Sequence, residues 1–125
     1  MTRYDRQIAV PSFGNAGQSY LHDASVLVVG AGGLGAPVLS YLAGAGVGAI
    51  KVIDGDKVSL SNLHRQTLFS ESDIGRPKAT IAANKLRALN SEILVEPIDI
   101  MLTPDTLAPH AKGCEVLVDC AGRFA

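Results

Sequence analysis

A glycine-rich segment spanning residues 30–35 has the spacing G-x-G-x-x-G and follows an apolar run. Glycines at this spacing let the backbone turn tightly and approach a ligand, so that main-chain N–H groups and the positive end of the following helix face a phosphate. Alternatively, the glycines serve only the close packing of a helix on a strand. The segment predicts a phosphate-binding loop formed by Gly30, Gly32, Gly33 and Gly35.

An acidic residue stands where the next apolar run ends. Asp54 follows Ala49 to Ile53, at roughly the distance from the glycines at which a carboxylate binds both ribose hydroxyls of a nucleotide. Such a contact requires a free 2′-hydroxyl. The sequence Asp54-Gly55-Asp56 is also typical of a turn, and that alternative stays open. Asp56 is the more structural of the two aspartates.

Cations and amides follow the second run, in the order Asn62, Arg65, Gln66 and Lys78. Arginine and lysine near the β and γ phosphates would neutralise charge as pyrophosphate leaves. A dinucleotide such as NAD has little need of them, so the pattern favours ATP. Two alternatives remain: an NAD-dependent oxidoreductase domain, and cations that are only solvated surface charges.

Composition excludes several classes of function. A chain of 125 residues with a net charge of -1 has room for one domain and no basic excess, so nucleic acid and membrane surfaces are not expected partners. No apolar segment is typical of a signal peptide or membrane span, which favours the cytoplasm. Cys114 and Cys120 are expected to be buried free thiols. The three histidines show no metal-binding pattern, so no metal ligands are predicted.

Three apolar runs predict buried parallel strands: Ser25 to Val29, Ala49 to Ile53 and Glu115 to Val118. A fourth run, Ile93 to Ile98, is weaker because Pro97 interrupts it. Helical periodicity lies between the runs. We therefore expect an α/β fold of the Rossmann-like, doubly wound type, with a mainly parallel sheet and helices on both faces.

Two helices are predicted between these strands. The first carries Leu34, Val38 and Leu42 on one face and ends in the glycines of residues 44–48. The second spans Arg76 to Asn90, with an apolar face of Ala82, Leu86 and Leu89. Residues 1–24 are expected to be a helical lead-in, with a helix near 15–22. Residues 25–125 are expected to form the nucleotide-binding domain.

Four ordered motifs resemble the family of ThiF/MoeB/HesA-type adenylyltransferases, relatives of ubiquitin-activating enzymes. Residues 3–7 resemble the opening R-Y-x-R-Q of this family, residues 30–35 its G-x-G-G-L-G, residues 62–66 its N-L-x-R-Q, and Pro77-Lys78 its later P-K. The resemblance covers nearly the whole chain and corresponds to the N-terminal half of the family fold.

The resemblance implies a role for each matching residue. Asp54 would hold the ribose of ATP, whereas Asn62, Arg65, Gln66 and Lys78 would surround the triphosphate. Arg6 would act in the active site of the other subunit of a homodimer, so that Arg6, Arg65 and Lys78 form the catalytic set.

The partner implied by the resemblance is a small ubiquitin-like sulfur carrier of thiamine or molybdenum-cofactor synthesis. The carboxylate of its C-terminal Gly-Gly would attack the α phosphate, which gives a carrier adenylate and pyrophosphate.

One position departs from the family pattern. The family has D-C-x-D, whose second aspartate is a Mg²⁺ ligand, whereas this chain reads Asp119-Cys120-Ala121-Gly122. Glycine has no side chain to coordinate a metal. We therefore expect ATP binding but little carrier adenylation by these 125 residues. A non-catalytic nucleotide-binding or dimerisation module of the same family is the alternative function.

Overall fold

The computed structural model describes residues 2–121, and in them four parallel strands form one sheet. The strands are β1 (Ser25–Val29), β2 (Ala49–Ile53), β3 (Leu94–Ile98) and β4 (Val116–Asp119). Their order across the sheet is β3-β2-β1-β4, and every neighbouring pair is parallel. All four predicted strands are therefore present. Pro97 is tolerated because β3 lies at an edge of the sheet.

Five α-helices accompany the described strands: α1 (Asp5–Ile8), α2 (Gly14–Asp23), α3 (Gly35–Ala45), α4 (Lys78–Leu89) and α5 (Pro104–Ala111). Short 3₁₀ turns occur at residues 60–62 and 71–73. The two predicted helices between strands correspond to α3 and α4. Gly46, at a φ of 90°, ends α3, and Asn90 ends α4. Helix α5 was not predicted.

The sheet carries helices on both faces. Helices α3 and α4 pack together over one face, where alternate strand residues such as Val28 and Val52 are fully buried. On the other face, Lys51 Nζ donates a hydrogen bond to the carbonyl of His110 in α5, at 3.3 Å. Right-handed crossovers require this arrangement, because the chain moves outward from β1 to β3 and then returns past β1 to β4. The doubly wound α/β fold is confirmed.

The predicted apolar face of α3 is wrong at Leu34, whereas Val38 and Leu42 are half-buried and Leu42 packs against the core. Leu34 is 69% exposed, and the helix buries Ala36, Leu39 and Ala43 instead. The small side chains of Ala36 and Ala43 suit the close approach of α3 to the sheet that the glycine-rich turn allows, and Leu39 fills the core between them. In α4 the expected face is correct at Ala82 and Leu86 but wrong at Leu89, which is 50% exposed.

Strand β4 is more exposed than expected. Val116 and Leu117 were predicted to be buried, yet they are 52% and 42% exposed. Within residues 2–121 this strand pairs only with β1, so one of its edges and much of its surface have no cover. Cys114 and Cys120 are for the same reason half-buried rather than buried, and both are free thiols.

The lead-in helices lie against the C-terminal ends of α3 and α4. Gln7 Nε2 donates to the carbonyl of Ala45, at 2.7 Å, and Tyr4 accepts a hydrogen bond from Asn90 Nδ2, at 2.8 Å. Arg3 Nη1 donates to the carbonyl of Leu89, at 2.9 Å. The side chains of Gln7 and Arg3 thus satisfy carbonyls that a helix end leaves unpaired. No helix within the described residues is long and apolar enough to cross a membrane.

Candidate nucleotide-binding site

A cleft of about 960 Å³ opens at the carboxyl edge of the sheet. Parallel register pairs Val29 with both Ile53 and Asp119, so the residues that follow them stand side by side at this edge. The chain reverses its direction of winding between β1 and β4, which is where ligands bind in open α/β sheets. The predicted residues that line this cleft are Gly30, Gly32, Gly33, Asp54, Asn62, Arg65, Gln66 and Lys78.

Two of the glycines are required by the backbone itself. Gly30 has a φ of +95°, in the left-handed region that side chains avoid. A Cβ at Gly35 would lie 1.9 Å from the carbonyl oxygen of Gly30. Gly35 therefore lies beneath the loop rather than in the cleft, where it lets α3 start close to the end of β1.

Gly32 and Gly33 leave space above the loop. The nearest atom to a Cβ at Gly33 would be Arg65 Cδ, at 3.7 Å, and the nearest to one at Gly32 would be Gln66 Nε2, at 3.0 Å. Both neighbours belong to side chains, so the backbone does not demand glycine here. The missing side chains instead form a concave cradle beside the N-terminus of α3, as a bound phosphate would require.

The Asp54 carboxylate is held by two backbone hydrogen bonds. Oδ2 accepts from the N–H of Ala31, at 2.9 Å, and Oδ1 accepts from the N–H of Asp56, at 2.8 Å. The side chain thus fixes its own turn and ties that turn to the glycine-rich loop. Each oxygen keeps a second lone pair that can accept from a ribose hydroxyl. The turn role and the ribose role are therefore compatible.

Two polar side chains are buried at the cleft. Lys78 is the first residue of α4 and is only 6% exposed, yet its ammonium group has no ion-pair or hydrogen-bond partner within residues 2–121. Gln66 is 4% exposed, and its Oε1 likewise has no hydrogen-bond partner there. Gln66 Oε1 is therefore a costly buried acceptor. The Lys78 ammonium lines the cleft, and no residue in 2–121 neutralises its charge, so it is free to meet an anionic ligand there.

The remaining polar side chains differ in how many of their atoms already have a hydrogen-bond partner. Asn62 Oδ1 accepts from the N–H and the hydroxyl of Ser59, at 3.1 and 2.9 Å, which leaves its NH₂ group for a ligand. Arg65 is exposed at the mouth of the cleft. Arg76, two residues before Lys78, does not line the cleft, and its Nη1 lies 3.9 Å from Oδ1 of Asp73.

An apolar wall of the cleft was missed in the sequence. Ile100, Met101 and Leu102 follow β3 and line the side next to Asp54, with Met101 packed against Gly55. The loop has no periodicity that marks it. The wall could have been predicted from a parallel pairing of β2 with β3, because the residues after β3 must then reach the same edge of the sheet as Asp54.

Other candidate residues lie apart from this cleft or carry no reactive group. Arg6 does not line it and is exposed at the far end of the molecule. Burial, and then the negative charge of Asp119, raises the pKa of the Cys120 thiol, so this cleft residue stays a protonated, weak nucleophile. No group of three potential metal ligands occurs within residues 2–121. Gly122, the expected departure, lies outside the described residues.

Comparisons with known proteins agree with this geometry. The family model described as the ThiF family matches residues 4–125. The chain is 45% identical over 124 residues to the sulfur carrier protein adenylyltransferase of Thermus thermophilus, which covers 99% of this chain and 46% of that protein. It is also 45% identical over 125 residues to the molybdopterin-synthase adenylyltransferase of Salmonella typhimurium, covering 100% of this chain and 50% of that protein.

A solved structure of the Escherichia coli tRNA N6-threonylcarbamoyladenosine dehydratase in complex with ATP has the same fold. Its TM-score is 0.86 at 33% identity, and the match covers 94% of this chain and 48% of that chain. The chain spans about half the length of the two curated relatives from Thermus thermophilus and Salmonella typhimurium.

Proposed function

This chain belongs to the ThiF family, and we propose that it is the ATP-binding part of an adenylyltransferase that activates the C-terminal carboxylate of a ubiquitin-like sulfur carrier. The similar curated proteins are named as adenylyltransferases of a sulfur carrier and of molybdopterin synthase. They share more identity with this chain than the similar tRNA-modifying enzyme does. This difference, together with the absence of a basic excess, favours a protein carrier over nucleic acid.

The nearly buried, unpartnered Lys78 carries this proposal. A lysine in such a position is stabilised by an anion, and it stands next to the glycine cradle at the N-terminus of a helix. Helix α3 also begins at this cleft. Two positive helix ends, Lys78 and Arg65 therefore surround a space whose opposite wall is apolar, which suits a triphosphate at one end and an adenine base at the other.

Each residue of the site is assigned to one part of the ATP molecule. Asp54 accepts hydrogen bonds from the ribose, Gly32 and Gly33 admit the phosphates, and Arg65 and Lys78 attract the charge that develops on the pyrophosphate leaving group. Asn62 and Gln66 fix the triphosphate by hydrogen bonds. Residues 2–121 do not provide a cluster of ligands for Mg²⁺, so no step is assigned to the metal.

ATP should stabilise the chain more than NAD does. At a nucleotide concentration about 100 times its dissociation constant, bound ATP adds about 2.7 kcal/mol to the free energy of unfolding. Thermal-shift titrations of ATP, AMP and NAD measure this directly. A shift with NAD and none with ATP would instead favour the oxidoreductase alternative.

A pyrophosphate-exchange assay distinguishes a catalytic adenylyltransferase from a module that only binds nucleotide. The assay measures transfer of labelled pyrophosphate into ATP in the presence of a carrier that ends in Gly-Gly, and a carrier without these two residues is the control. Exchange that depends on Gly-Gly would establish carrier adenylation by this chain. ATP binding without exchange would favour the non-catalytic nucleotide-binding module.

The homodimer implied by the family resemblance has a candidate surface on α3. Leu34, Pro37, Tyr41 and Gly44 recur at helical spacing and are exposed, with Leu34 at 69% and Tyr41 at 79%. We call these four residues the α3 stripe. No charged residue occurs between Asp23 and Lys51, so the solvent face of this helix is wholly uncharged. An uncharged exposed helix face is typical of a surface that a partner covers.

The position of Arg6 favours a second copy as that partner. The lead-in is fixed at the C-terminal end of α3, whereas the cleft lies at its N-terminal end. An 11-residue helix is about 16 Å long, so Arg6 is remote from the cleft of its own chain. Two α3 stripes packed antiparallel about a two-fold axis would bring Arg6 of each copy toward the cleft of the other.

Replacing Tyr41 by glutamate should therefore abolish dimers, because it would place a charge in an apolar interface. The matched control is Tyr20→Glu, since Tyr20 is also 79% exposed but lies on α2. Light scattering across micromolar concentrations should give a dimer for the wild type and Tyr20→Glu, and a monomer for Tyr41→Glu. A monomeric wild type that still binds ATP would rule out this interface and the role of Arg6 in the other subunit.

A further inference from the structure

His64 occupies the variable position of N-L-x-R-Q, and no role in the site has been assigned to it. Its Nδ1 lies 3.0 Å from the carbonyl oxygen of Ser61. A carbonyl can only accept, so in a neutral imidazole Nδ1 must carry the proton. The other nitrogen, Nε2, then has a free lone pair and acts as an acceptor.

That free lone pair faces Arg65. Nε2 of His64 lies 3.3 Å from Nη1 of Arg65, and the same Nη1 also donates to the carbonyl of Ser61, at 3.3 Å. The aliphatic part of the arginine lies over Gly33 of the cradle. Two neutral acceptors on one turn thus hold one edge of the guanidinium, while its Nε and Nη2 have no hydrogen-bond partner within the described residues.

We propose that His64 is a positioning residue that holds the Arg65 guanidinium at the phosphate cradle before ATP binds. This inference rests on the proposed function, because it assigns Arg65 to the triphosphate. A carboxylate at position 64 would hold the arginine more strongly but would also cancel its charge. A neutral imidazole holds it and leaves the full positive charge for the phosphates. The gain is that less side-chain freedom is lost on binding.

A double-mutant cycle tests this role through ATP and AMP affinities measured by calorimetry. His64→Ala should weaken ATP binding by about three- to tenfold, the cost of ordering one long side chain, and should leave AMP binding unchanged. His64→Gln, whose amide oxygen can accept from Arg65, should restore most of the ATP affinity. In an Arg65→Ala background, His64→Ala should have no further effect. His22→Ala is the matched control on the exposed surface of α2.

The outcomes distinguish this inference from the proposed function. A wild-type chain that binds no ATP would overturn both. Unchanged ATP affinity in His64→Ala would overturn only the positioning role, and so would an equal loss in the presence and absence of Arg65. An equal loss of ATP and AMP affinity would also contradict it, because Arg65 is assigned to the β and γ phosphates.

Discussion

Replacing Lys78 by alanine is expected to weaken ATP binding by roughly 10- to 100-fold, while AMP binding changes by less than about threefold. A hydrogen bond to a charged group contributes about 1.5 to 3 kcal/mol, which corresponds to that range. AMP lacks the β and γ phosphates that Lys78 is assigned to contact, so it should be nearly indifferent to the change. Arg65→Ala should behave in the same way but less strongly, because Arg65 is exposed and more screened by solvent.

Lys85→Ala is the matched control for Lys78→Ala. Lys85 lies on the same helix, carries the same charge and is exposed, but it does not line the cleft. The Lys85→Ala variant should bind both ATP and AMP with the affinity of the wild type. Equal losses of ATP and AMP affinity in Lys78→Ala would mean that the lysine contacts the α phosphate or only supports the fold.

The strand and helix positions were predictable because they depend on local sequence. Runs such as Ser25 to Val29 are apolar and end at a glycine or aspartate, and α3 stops at Gly46, whose positive φ suits glycine. Which face is buried depends on neighbours that local sequence does not reveal. Leu34 looked like a core residue, but it is the N-cap of α3 and lies in the loop that lines the cleft, so it is exposed.

Most of the candidate cleft was also predictable, because its residues follow consecutive strands of one parallel sheet. Gly30 and Asp54 follow strands whose ends are in register, so the sheet brings them together. The wall at residues 100–102 could not be recognised without knowing that β3 lies beside β2. The hydrogen bonds of His64 depend on a 3₁₀ turn at residues 60–62, for which the sequence gives no periodic signal.

Two glycines of the same loop should both lose ATP affinity when replaced by alanine, but only one replacement should lower the Tm. At Gly35 a methyl group would lie 1.9 Å from the carbonyl oxygen of Gly30, so the loop and α3 must move apart. Overpacking of this kind costs about 1 to 3 kcal/mol, and the Tm of Gly35→Ala should fall by roughly 5 to 15 °C. ATP binding should weaken with it, because the cradle is displaced.

At Gly33 the nearest atom to a new methyl group would be 3.7 Å away, on the mobile side chain of Arg65. Gly33→Ala should therefore keep the wild-type Tm to within about 2 °C, yet bind ATP at least about tenfold more weakly, because the methyl group occupies the phosphate space. Thermal melts and calorimetry on both variants separate folding from binding. Wild-type ATP affinity in Gly33→Ala would show that the phosphates do not lie over this glycine, whereas an unchanged Tm in Gly35→Ala would show that the close approach of α3 to the loop does not require glycine there.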